Sequence, residues 1–79
     1  MSKNHFAIAL DVGGTFIKSA LISEAGEALN EAQTVSSGAK TAEAMTDLIV
    51  RVINEQRASA PSARKIVGVG VGSPGPLDP

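Results

Sequence analysis

Hydrophobic positions fall into five segments, not all with the same period. Residues 6–10 (Phe-Ala-Ile-Ala-Leu) are apolar at every position, the pattern of a strand covered on both faces. Residues 16–23 predict a second strand, antiparallel to the first, and Gly26 marks the turn that follows. Residues 28–35 are a weaker, more polar strand carrying Asn30, Glu31 and Gln33, as suits a sheet edge. The period then changes. Met45, Leu48, Ile49, Val52 and Ile53 make one helical stripe, with Asp47, Arg51, Asn54 and Glu55 opposite. Thr41 is the N-cap, Glu43 complements the helix dipole, and the helix should end near Arg57, ahead of Pro61. Residues 66–72 alternate valine with Gly68, Gly70 and Gly72, which predicts a buried strand with a bare face against which something packs closely.

A meander, a crossover helix and a parallel fourth strand define an α/β fold with a mixed sheet in the order 3-2-1-4. One helix cannot cover both faces of such a sheet. The 79 residues are therefore expected to be the opening part of a larger protein.

Composition narrows the function classes. Net charge is −1 without a basic cluster, so nucleic-acid binding has no electrostatic support. No apolar run is long enough for a signal peptide core or a membrane span, and a soluble cytoplasmic protein is the expectation. The absence of cysteine rules out a disulfide or a thiolate metal site within these residues.

Candidate chemistry sits at two strand ends. In Asp11-Val12-Gly13-Gly14-Thr15 an acid ends one apolar run, two glycines turn the chain and a hydroxyl opens the next. Glycines reach positive φ and admit a ligand to the main chain; their N–H groups, with the Thr15 hydroxyl, can form an anion nest. Asp11 can meet a hydrated Mg²⁺. The same five residues also fit a plain hairpin, because Gly-Gly is a favoured two-residue connection. The second location is the rigid loop after residue 72, with Pro74, Pro76 and Pro79. It stands where loops of open α/β sheets line ligand crevices, at the same sheet end as the first turn if strands one and four are parallel neighbours. Gly70 to Gly75 match a G-x-G-x-x-G spacing, but the prolines exclude the helix a dinucleotide site needs, and no Walker-type loop is present.

The run Asp11-Val12-Gly13-Gly14-Thr15-Phe16-Ile17-Lys18 resembles the first phosphate-binding signature of the sugar-kinase, heat-shock-ATPase and actin superfamily. Together with Gly68-Val69-Gly70-Val71-Gly72-Ser73-Pro74-Gly75-Pro76-Leu77-Asp78 it resembles, more narrowly, the repressor, open-reading-frame and kinase (ROK) family. The resemblance implies that residues 1–79 are the N-terminal part of a ribonuclease-H-like, ATP-binding small lobe in a glucokinase-like enzyme. That enzyme would phosphorylate a hexose or an N-acylated hexosamine using ATP and Mg²⁺. Gly13, Gly14 and Thr15 would contact ATP phosphates, and Asp11 would face Mg²⁺, through water. Ser73, Pro74 and Gly75 would border the sugar. Lys18 reads first as a solvated strand residue, and its place in the motif makes it a candidate phosphate contact. The family's catalytic aspartate, structural zinc ligands and adenosine-binding residues lie further along its pattern, so this segment alone is expected to be inactive. The family also implies a homodimer.

Two other classes remain. A ROK-type repressor would carry a helix-turn-helix ahead of the phosphate motif, and the ten residues before Asp11 are not helical. A non-catalytic lobe would only pack against a partner. His5 reads as a surface residue, Met45 as core, and Asp78 as a loop-shaping residue.

Overall fold

Strand β1 (Phe6–Val12) is followed by β2 (Phe16–Ser23), β3 (Ala28–Val35), helix α1 (Ala42–Ser59) and β4 (Ile66–Gly72). These elements are seen in a computed structural model that describes residues 5–62 and 65–72. The strands form one sheet in the order β3-β2-β1-β4. β2 is antiparallel to both β1 and β3, and β4 is parallel to β1. The α/β mixed sheet with a three-strand meander, a crossover helix and a parallel fourth strand is thus as the hydrophobic pattern predicts. A parallel neighbour requires the chain to return to the starting end of the sheet, and α1 spans that return.

Two boundaries differ from the sequence expectation. β1 continues past Leu10, because Asp11 and Val12 still pair with Lys18 and Ile17. Helix α1 continues past Arg57 to Ser59, and the Ala60 N–H closes its end on the Arg57 carbonyl. At the other end the Thr41 hydroxyl accepts from the Ala44 N–H at 3.0 Å, and Glu43 lies in the first turn.

The core is one layer between α1 and one face of the meander. Ile8, Leu10, Ile17, Leu21 and Val52 form its buried centre, and Met45, Leu48, Ile49 and Ile53 pack around them. All five residues of the helical stripe therefore face the sheet. α1 packs on β1, β2 and β3. That placement corrects the expectation of a buried fourth strand. β4 is an edge, and Val67, Val69 and Val71 are 68%, 42% and 54% exposed. It also corrects the expectation that β1 is covered on both faces, since α1 covers only the side of Ile8 and Leu10, leaving Ala7 and Ala9 half-buried. The glycine face of β4 is bare: a Cβ built on Gly68 or Gly70 meets nothing within 4 Å.

One polar cluster locks the helix to the sheet. Opposite Ala20, β3 carries a bulge, with Ser19 paired to Ala32 and Leu21 to Leu29. Asn30 in that bulge has φ +52°, a left-handed conformation that asparagine tolerates better than most residues. The buried Gln56 amide donates to the Ser19 hydroxyl at 2.9 Å and the Asn30 carbonyl at 3.0 Å. The Asn30 amide in turn donates to Gln56 Oε1 at 3.0 Å and Ser59 Oγ at 2.9 Å. Gln56 follows Val52 at helical spacing, so it continues the apolar stripe with a polar side chain. Replacing it with leucine keeps the bulk but strands the Asn30 carbonyl. Gln56→Leu is expected to cost about 2 kcal/mol in urea unfolding of the protein carrying this chain. An unchanged midpoint would remove the cluster as a stabilising feature.

Candidate functional site at the first turn

β1 and β2 are joined through Gly13, Gly14 and Thr15, and the Gly13 N–H donates to the Phe16 carbonyl at 2.9 Å to close the hairpin. A Cβ on Gly13 would lie 3.0 Å from that same carbonyl, so the tight closure favours glycine. The expectation of positive φ in this turn is corrected: among the described glycines only Gly26 adopts it, at φ +87°, in the β2–β3 turn. At Gly13 the demand is for close approach, not for left-handed backbone. Gly14 is exposed, and a Cβ there would meet nothing within 4 Å, so its missing side chain leaves open space over the main chain.

Among the described residues, the N–H groups of Gly14 and Thr15 and the Thr15 hydroxyl have no hydrogen-bond partner. Two of the turn's carbonyls, by contrast, are tied down. Ser36 Oγ donates to the Gly13 carbonyl at 2.7 Å, and the Ser36 N–H donates to the Thr15 carbonyl at 2.8 Å. The turn therefore holds two free main-chain donors, on Gly14 and Thr15, beside two satisfied acceptors, a polarity that suits an anion.

The charged candidates stand beside it. Asp11 and Lys18 are direct cross-strand neighbours, both exposed, and neither makes a side-chain hydrogen bond or ion pair among the described residues. Asp11, Gly13, Gly14, Thr15, Phe16 and Lys18 line one cleft of about 280 Å³. The structure thus brings together all five residues that the sequence singles out for the nucleotide, and adds Phe16. Gly72, the last residue of β4, pairs with Asp11, so the parallel strands end side by side. Ser73, Pro74 and Gly75 lie outside the described residues.

Mg²⁺ prefers near-octahedral oxygen ligation with one or two carboxylates, phosphate oxygens and retained waters. Asp11 fits that demand, since its carboxylate is unpaired beside the free donors. Among the described residues no group of three or more His, Cys, Asp or Glu is placed to hold a metal by itself. His5 is remote from this chemistry: its Nδ1 lies 2.7 Å from the Glu24 carboxylate at the surface, as expected for a surface residue.

Ser36 was not singled out by the sequence, which reads residues 36–40 only as a loop. The available signal is positional. β2 and β3 are both eight residues long and Phe16 pairs with Val35, so the residue after β3 must fall beside the first turn.

The sequence profile of the ROK family matches residues 7–79, and the chain belongs to the ROK family, whose fold is of the sugar-kinase and actin-like class. The meander, glycine turn, crossover helix and parallel fourth strand agree with that fold. No curated protein matches the chain. Among the described residues no helix is long and apolar enough to cross a membrane.

Proposed function

We propose that this chain supplies the phosphate-holding element of an ATP-dependent hexose kinase. The observation that carries the reading is the polarity of the first turn: unpartnered donors on Gly14 and Thr15 share a cleft with the unpaired Asp11 and Lys18. Family membership supports it, because ROK proteins include sugar kinases.

In this reading the Gly14 and Thr15 N–H groups and the Thr15 hydroxyl donate to phosphate oxygens. Lys18 adds a positive charge at the cleft rim. Asp11 accepts from the hydration shell of Mg²⁺ or binds the ion directly. Mg·ATP, when bound, brings the transferable phosphoryl group and a cation that offsets its charge. Phosphoryl transfer demands mainly positioning and charge stabilisation, which main-chain donors on a closed hairpin provide without reorganising. Ser73, Pro74 and Gly75 would border the acceptor sugar, and the base that takes the proton from its hydroxyl would come from elsewhere in the protein.

The test uses the intact protein that carries this segment, supplied with Mg·ATP and a panel of hexoses and N-acylated hexosamines. ADP formation that depends on one of these sugars is expected. Sugar binding without ADP formation would overturn the kinase reading in favour of a sugar-responsive repressor or a non-catalytic lobe.

A further inference from the structure

We infer that Ser36 is a positioning residue, aiming the Gly13–Gly14 peptide so that its N–H faces the anion. The inference rests on the phosphate-binding reading of the turn and extends it to a residue outside the motif. In a planar trans peptide the C=O of one residue and the N–H of the next point in opposite directions. Holding the Gly13 carbonyl therefore sets the direction of the Gly14 N–H. Ser36 Oγ holds that carbonyl at 2.7 Å.

This peptide has particular need of a tether. It lies between two glycines, so no Cβ on either side resists its rotation. A flipped 13–14 peptide would present a carbonyl oxygen where a donor is required, turning attraction for phosphate into repulsion. Hydrogen bonding elsewhere in the hairpin does not prevent this, because the closing bond from Gly13 uses the N–H of the preceding peptide.

Ser36 is itself firmly held. It is 1% exposed, it follows directly on Val35 in the ladder opposite Phe16, and its carbonyl accepts from the Ala39 N–H at 3.0 Å. Its own N–H reaches the Thr15 carbonyl at 2.8 Å, which fixes the 15–16 peptide by the same geometry. That second bond is available to any residue except proline. The hydroxyl bond is the contribution specific to serine.

The test compares Ser36→Ala with Ser19→Ala in the intact protein. Ser19 is also buried and hydrogen-bonded, but its partner is Gln56, away from the turn. Ser36→Ala is expected to raise KM for ATP about tenfold, leave KM for the sugar unchanged, and displace the Gly14 amide signal in ¹⁵N-glycine NMR spectra without ligand. Ser19→Ala is expected to lower Tm and to move neither the KM for ATP nor that signal. Should Ser36→Ala fail to fold, Ser36→Cys keeps the shape with a weaker donor and should give an intermediate change in both readouts. A Ser36 variant with unaltered KM for ATP and an unmoved Gly14 signal, whatever its Tm, would overturn the inference. If the wild-type protein does not bind Mg·ATP, the nucleotide reading fails, and the ligand-free Gly14 signal still decides what Ser36 does.

Discussion

Asp11→Ala in the intact protein is expected to lower kcat for sugar phosphorylation about a thousandfold, because a metal that stabilises transferring phosphoryl charge is worth several kcal/mol and each 1.4 kcal/mol is tenfold. Stability should hardly change. The Asp11 side chain is exposed and makes no hydrogen bond or ion pair among the described residues, and its backbone pairing in β1 does not depend on the carboxylate. A surface substitution of that kind shifts stability by only about 0.5 kcal/mol. Asp11→Asn sharpens the comparison, since it keeps the shape and removes the charge. Steady-state kinetics and a thermal melt on the same preparations decide the matter. Turnover retained in both variants would end the assignment of Asp11 to the metal.

The second large effect is at Gly14. Gly14→Val should weaken Mg·ATP binding about a hundredfold, equivalent to roughly 2.7 kcal/mol. The fold should accept it, because φ at Gly14 is not positive and a Cβ there meets nothing within 4 Å. The added isopropyl group instead fills the space through which a phosphate must approach. Gly13→Ala provides the contrast. Its Cβ would press on the Phe16 carbonyl at 3.0 Å, so the loss should fall on stability, by about 1–3 kcal/mol. Calorimetric titration with Mg·ATP and denaturant melts separate the two. Equal affinity for Mg·ATP in wild type and Gly14→Val would leave the turn as a plain hairpin.

The two glycines also show how far the sequence could be read. The Asp11–Lys18 motif located the cleft, because its spacing obliges the acid, the donors and the base to meet across a two-strand hairpin. What each glycine is for was not legible, since close approach and positive φ favour the same residue type. The strand pattern was readable where hydrophobic and polar positions differ sharply. It misled at β4. A run of valines and glycines reads as buried, yet exposure there is set by where α1 lies, a tertiary fact that no local period encodes. Ser36 and Gln56 escaped notice for a related reason. Each is polar and buried, and their partners are separated from them by many residues along the chain, at Gly13 and Thr15 in one case and at Ser19 and Asn30 in the other.

The sheet joins two kinds of neighbour with unequal histories. β1 meets β2 across a tight reversal, but Phe6 must wait for Ile66 before the parallel ladder can close. Bringing distant segments together costs chain entropy before any contact rewards it. The hairpin that carries the Gly-Gly turn can thus mature while its outer neighbour is still unattached. During synthesis, both strands of the Gly-Gly hairpin are made before the strand that comes to lie on the other side of β1.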